Sequence, residues 1–261
     1  MSADFDPSVP NTARVYDALL ADKDNYAADR AQADRLVKIY PLLPAMVREN
    51  RAFLAYVVGW VAGQGITQFI DVGAGLPVTP SIHQAAREVA PKARVAYVDN
   101  DPVVLTHARA LLATDGVTAA EADLRDPAAV LGHPALRAVI DPAKPAAVIF
   151  GAVLHFLNAD AARAVIAGYT SRMVPGSYLI ITCASFDNHE LAGQLAEEYT
   201  AATFCNHPAE VVESFFDGLE LIGPGINEAL TWRAWLTEPV PCDRDGHVLA
   251  GVARLLKARD A

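Results

Sequence analysis

The sequence predicts an α/β protein: a doubly wound, mostly parallel sheet of seven strands with an antiparallel last strand, preceded by a block of helices. Three observations point there. The run from Gln68 to Val72 is apolar enough to be buried on both faces as a parallel strand, and it ends at Gly73-Ala74-Gly75, where glycines allow a tight turn. From Thr67 onward, strand-like and helix-like segments alternate, with crossovers long enough for βαβ units. Those crossovers open on cap-and-proline pairs, Thr79-Pro80, Asp101-Pro102 and Asp126-Pro127.

Taken in order, helices are predicted over 12–20, 29–40 and 44–61, with Pro41-Leu42-Leu43-Pro44 separating the last two. Strands follow at 67–72, 94–99, 117–122, 146–151 and 177–183, with crossover helices near 80–90, 102–113, 127–138 and 159–173. Helices over 187–204 and 209–216 come next, then strands near 219–222 and 247–256. Between those last two strands only Pro224-Gly225 and a loop-rich stretch through Trp232, Trp235 and Pro239-Val240-Pro241 are visible, which implies an antiparallel, hairpin-like pair.

A chain of 261 residues lies at the upper end of one domain. It divides near Gly63-Gln64-Gly65 into a helical cap or lid (1–64) and a sheet domain (65–261). Hydrophobic residues make up 52% of it and charged residues 20%, yet no apolar run reaches the roughly eighteen residues that span a bilayer, so a soluble protein is expected. The start, Met1-Ser2-Ala3-Asp4-Phe5-Asp6, does not read as a signal peptide, and three cysteines make no disulfide framework. A cytoplasmic location is expected. Cys183 sits in an apolar run, Cys205 and Cys242 lack metal-ligand spacing, and no metal is assigned. With 21 basic against 31 acidic residues, neither nucleic acid nor an anionic membrane is an expected partner. Arg30, Arg48 and Arg51 read first as solvated helix-face charges.

The glycine turn and Asp99, at the tip of the second strand, together describe a nucleotide pocket, because a carboxylate there accepts from both hydroxyls of a ribose. A dinucleotide fingerprint needs a third glycine, and Val78 stands in its place. The predicted helix begins only at Thr79-Pro80, so a pyrophosphate would be poorly served by its amino terminus. Asp71 repels phosphate and suits an ammonium group. These features favour an adenosine with a cationic amino-acid end, which is S-adenosylmethionine.

The chain resembles the class I S-adenosylmethionine-dependent methyltransferases from residue 67 to 256. Asp71-Val72-Gly73-Ala74-Gly75 is similar to their first motif, with Pro77 where a third glycine is usual, and Asp99 to their ribose acid. Ala122-Asp123-Leu124 is similar to their adenine-holding segment, Gly151-Ala152-Val153-Leu154-His155-Phe156 to the segment lining the methyl site, and Val174-Pro175-Gly176 to the turn into strand five. Pro10-Asn11-Thr12-Ala13-Arg14-Val15-Tyr16-Asp17, Lys23 to Arg30 and Asn50-Arg51-Ala52-Phe53-Leu54 resemble a narrower actinobacterial group of methyltransferases, formerly a domain of unknown function (DUF574-like). The resemblance implies a Rossmann-like fold, S-adenosylmethionine as cofactor, and a cofactor site at Asp71, Gly73, Ala74, Gly75, Asp99, Asn100, Asp123, Leu124, Gly151, Ala152, His155 and Phe156. It leaves the methyl acceptor, expected to be a small molecule, open.

Other readings stand beside these. Asn100 either reaches the adenine edge or completes a turn, and Asp123 either contacts adenine or belongs to a capped loop. His155 is the candidate general base, or else a histidine packed on the cofactor. Tyr16, Asn25, Tyr26, Arg30 and Arg51 are candidates for the lid and substrate side, where aromatic faces suit a cation. A non-catalytic cofactor-binding module and an NAD-dependent oxidoreductase are the alternative functions.

Overall fold

A computed structural model of the chain describes residues 6–111, 114–234 and 244–256; Trp235, Cys242 and the segment Pro239-Val240-Pro241 lie outside the described residues. Three helices, α1 (Thr12–Leu19), α2 (Ala27–Ile39) and α3 (Leu43–Gly63), precede the sheet. The sheet then forms from β1 (Gln68–Val72), β2 (Arg94–Asp99), β3 (Val117–Glu121), β4 (Ala147–Gly151), β5 (Tyr178–Phe186), β6 (Glu220–Leu221), β7 (Asn227–Glu228) and β8 (Gly246–Arg254). Its order is β3-β2-β1-β4-β5-β8-β6, with β7 also paired to β8. The first five strands run parallel, and β8 is antiparallel to β5, β6 and β7. The eight strands exceed the predicted seven because the two-residue β7 is too short to leave a periodic signal.

Alternation along β1 divides the core. Phe69 points to a layer with Val57 and Val61 of α3, whereas Ile70 and Val72 point to the opposite layer. The first layer also holds α4 (Ile82–Val89), and the second is covered by α6 (Pro127–Gly132), α7 (Pro134–Val139), α8 (Ala159–Thr170) and α10 (Ala209–Ser214). Thus α3, although it precedes the sheet in sequence, is built into one of its faces. The α5 helix (Pro102–Leu111) follows β2.

Several boundaries differ from expectation. The first crossover helix starts at Ile82, not at Thr79-Pro80: Ser81 is its cap, with Gln84 Oε1 accepting from Ser81 N at 2.8 Å and Ser81 Oγ accepting from Gln84 N at 3.4 Å. The Thr79–Pro80 bond ahead of it is cis. The helix expected over 127–138 is two helices, because His133 is extended and Pro134 opens a new one. The α9 helix (His189–Glu198) stops six residues before 204. Beyond it the chain returns to the sheet, where the Asn206 carboxamide pairs with both backbone groups of Phe186 at 2.8 Å each. A short helix, α11 (Ala229–Ala234), lies between β7 and β8 where none was expected. It buries Trp232 against Phe53, with Trp232 Nε1 donating to Ala250 O at 3.2 Å.

Candidate functional site

The strand order reverses between β1 and β4, and open sheets of this kind bind ligands beyond the carboxyl ends of the strands at that point. A cavity of about 220 Å³ lies there. Its floor is the turn after β1. Gly73 N and Ala74 N donate to Val98 O at 2.9 and 3.0 Å, which folds the turn back onto β2. Gly73 and Gly75 have φ of +70° and +64°, and a Cβ on Gly73 would stand 2.7 Å from Val153 Cγ2. Only glycine meets both conditions at Gly73.

Asp99 closes this floor. Gly75 N donates to its Oδ2 and Asp101 N to its Oδ1, both at 2.9 Å, so each oxygen is aimed by one backbone group and keeps a further lone pair. Burial pushes its carboxyl above the usual range, against the pull of those hydrogen bonds. Asn100, Ala122 and Leu124 line the adjoining wall, and Gly151, Ala152, His155 and Phe156 line the opposite side. Ala152 holds φ of +55°, uncommon for a non-glycine, and is pinned there by its N–H on Thr182 Oγ1 at 2.8 Å.

Asp71 lies beneath the turn rather than on the main cavity, 5% exposed, and lines a smaller recess that Arg51 shares. Burial pushes its carboxyl up to about 7, with Asp99 adding to the rise and the Arg51 charge opposing it. The folded protein therefore keeps this proton far above the unfolded chain, which releases it near pH ~4. Stability is expected to fall as pH rises from about 4 to about 7 and to level off above that. Asp71→Asn should flatten the slope in urea-unfolding midpoints taken across this window; an unchanged slope would contradict the assignment.

His155 sits in a single 3₁₀ turn, Leu154–Phe156, after β4. Its Nδ1 accepts from Ala184 N at 3.3 Å, which places the ring proton on Nε2. Burial, assisted by His207, pushes its pKa down to about 3. The ring is thus neutral and presents a donor, a geometry that does not suit the proton-accepting role expected of a general base.

The amino-terminal helices cover the site. Tyr16 lines the cavity, with its hydroxyl donating to Val47 O at 3.1 Å, and Arg51 lines it from α3. Asn25, Tyr26 and Arg30 are outside the lining and build the α1–α2 turn instead. Asn25 Nδ2 donates to Asp17 Oδ2 at 2.7 Å, Arg30 Nη1 donates to Asn25 Oδ1 at 2.9 Å, and Tyr26 is 40% exposed beneath the Arg14 guanidinium. Asp123 is likewise turned away, its carboxylate 3.0 Å from Arg125 Nε, and this pairing holds its pKa below the usual range.

Three features carry no separate sequence signal. Asn11 Nδ2 donates to Asp101 Oδ2 at 2.6 Å, clipping α1 to the turn that bears Asp99. Asp29 accepts from Asn11 N, Arg14 Nε and Tyr26 N, each at 2.9 Å, tying α1 to α2. Tyr199 and Phe204, on and beyond the end of α9, complete the far wall. The glycine cradle and a carboxylate with a free lone pair on each oxygen fit an adenosine ligand.

A family model described as S-adenosyl methyltransferase matches residues 1–256. A candidate methyltransferase from Thermobifida fusca YX superposes with a TM-score of 0.88 at 41% identity, covering 97% of each chain. A DUF574 family protein from Streptomyces avermitilis MA-4680 gives 0.89 at 35% identity, covering 96% of this chain and 99% of that one. An O-methyltransferase family protein from Burkholderia thailandensis shares the fold, with a TM-score of 0.52 at 16% identity over 92% of this chain and 64% of that one. A search of the curated proteins returns no match. A family model that spans nearly the whole chain and two relatives above 30% identity lead to one conclusion: the protein belongs to the S-adenosyl methyltransferase family, whose methyl donor is S-adenosylmethionine.

Proposed function

We propose that the protein transfers the methyl group of S-adenosylmethionine to a nucleophile on a small molecule, with residues 65–261 carrying the cofactor pocket and α1 and α2, within residues 1–64, closing over it. Asp99 carries this reading: its two oriented oxygens match the paired hydroxyls of a ribose. Gly73, Ala74 and Gly75 let the backbone approach the ligand, and Asn100, Ala122 and Leu124 form the adenine wall without Asp123. Arg51 and Asp71 flank the same turn, where the cofactor's methionine end has a carboxylate for one and an ammonium for the other.

When bound, S-adenosylmethionine supplies a methyl group already activated by its sulfonium sulfur. The chain's task is then alignment and exclusion of water, worth about 7–11 kcal/mol in well-oriented systems. Gly151, Ala152 and Phe156 wall the reacting region, and His155 contributes a hydrogen-bond donor rather than a base. The net charge of −10 supports a small-molecule acceptor over nucleic acid, and the free thiols Cys183 and Cys205 support a reducing, cytoplasmic setting. Among the described residues no helix is long and apolar enough to cross a membrane.

Methyl-labelled S-adenosylmethionine incubated with the protein and fractionated cell extract is expected to label a small molecule. His155→Gln, which keeps a donor and lacks a titrating ring, should retain more than about a tenth of the transfer rate, since losing a general base costs 10²–10⁴-fold. Cofactor binding without any labelled product would replace this reading with a binding module. NAD binding with no response to either sulfur ligand would replace it with an oxidoreductase.

A further inference from the structure

One wall of the cavity is a continuous row of rings. Tyr199, Phe156, His155, Phe204 and Phe186 touch in that order, with centroids 5.5, 4.4, 5.5 and 6.0 Å apart, and all five line the cavity. Neighbouring rings are tilted by 34°, 62°, 53° and 70°, so the row mixes ring faces with ring edges. Phe156, Tyr199 and Phe204 are only half-buried. The row stands on the β4 and β5 side of the sheet's switch point, since Phe156 follows β4 and Phe186 ends β5. The glycine turn, Asp99, Asn100, Ala122 and Leu124 follow β1, β2 and β3 on the other side.

The middle of the row is fixed in place by the strap of residues 204–207. Cys205 N donates to His155 O at 2.8 Å, and His207 Nε2 donates to Leu157 O at 2.9 Å, which ties the strap to the turn after β4. Ser185 Oγ donates to His207 O at 2.7 Å, and the Asn206 carboxamide holds both backbone groups of Phe186, which ties the strap to the end of β5. Phe204 is thereby carried into the cavity on backbone that is bonded on both sides. A ring held this way meets a ligand without a large ordering cost.

We propose that the methyl acceptor carries an aromatic ring and lays it against Phe156 and Phe204, beside His155, with Phe204 setting this preference. The inference rests on the methyltransferase reading and names the substrate class of the same site. Aromatic rings carry a negative face and a positive edge, so a wall of tilted rings attracts another ring beyond the area it buries. A saturated ring of the same outline gains the burial and not the ring pairing. Phe156 belongs to the segment that walls the reacting region, so a ring seated there lies next to the transferred methyl. Arg51 and Asp17 line other walls of the cavity, and the fit of ring to wall is independent of the polar group an acceptor turns toward them.

The test uses the full chain loaded with S-adenosylhomocysteine and three probe pairs that share a polar group and differ in the ring: benzyl alcohol and cyclohexylmethanol, benzoate and cyclohexanecarboxylate, benzylammonium and cyclohexylmethylammonium. In the pair that binds best, ligand-observed NMR is expected to show the aromatic member binding about threefold to tenfold more tightly. Phe204→Leu should shrink that ratio below about twofold, and S-adenosylhomocysteine affinity in the variant, expected within about threefold of wild type, reports that it folds. Intermolecular NOEs from the bound aromatic probe to phenylalanine ring protons of the wild-type chain give a second readout that needs no variant. Equal or tighter binding of the saturated member, no binding by any of the six probes at millimolar concentration, absence of those NOEs, or a Phe204→Leu protein that keeps the full ratio would overturn the proposal. Failure of the wild-type chain to bind S-adenosylhomocysteine would instead strike the methyltransferase reading itself, and this inference with it.

Discussion

Replacing Asp99 with alanine is expected to lower affinity for S-adenosylhomocysteine by about 10²–10⁴-fold, since two charged hydrogen bonds are lost at roughly 1.5–3 kcal/mol each. The loss should appear in binding far more than in stability. Burial opposes ionisation of this carboxyl, so the folded protein gains little net stability from its charge. Gly75 N and Asp101 N lose their acceptor, which offsets any relief from desolvation. Asp99→Asn is no conservative substitute: one side of its carboxamide would point an NH2 at a backbone N–H that now donates to it. Calorimetric titration checks the prediction. Affinity within about threefold of wild type would remove Asp99 from the ribose and with it the present placement of the pocket.

Asp29→Ala is expected to cost about 3–5 kcal/mol of stability, because it leaves the Arg14 guanidinium buried without its carboxylate. Asp29 is 0% exposed and accepts three hydrogen bonds, from Arg14 of α1 and from the residues just ahead of α1 and α2, so no single water replaces it. At this chain length each kcal/mol corresponds to about 2–4 °C, so the melting temperature should fall by roughly 6–20 °C. Cleavage in limited proteolysis should move to the residues around α1, since that helix loses its tie to α2. Asp29→Asn should recover part of the loss by accepting through its remaining oxygen. A melting temperature lowered by less than about 3 °C would show that α1 is held by its apolar face alone.

The parallel strands were legible because β1, β2 and β4 are apolar runs closed by glycine or an acid, a pattern that local periodicity reads well. The first crossover helix was misplaced because Thr79-Pro80 and Ser81 offer competing starts two residues apart, and only the Ser81–Gln84 capping pair decides between them. Strand ends bring the glycine turn and Asp99 together, and both line the cavity. The site was not legible where distant residues decide. His155 has its tautomer set by a β5 amide 29 residues away, and Asn11 reaches Asp101 across 90 residues. No local pattern encodes such pairings.

The clip between Asn11 and Asp101 couples the amino-terminal helices to the turn that bears Asp99. Asp101 serves three partners at once: its N–H aims Asp99, its Oδ1 caps α5 through Val103 N, and its Oδ2 holds Asn11. The anchor of α1 and the Asp99 carboxylate are therefore two residues apart on the same turn. Since α1 and α2 also line the cavity, breaking the Asn11–Asp101 bond would disturb the cap of α5, the aim of Asp99 and part of the cavity wall together, and Asn11→Ala is the substitution that would expose this coupling.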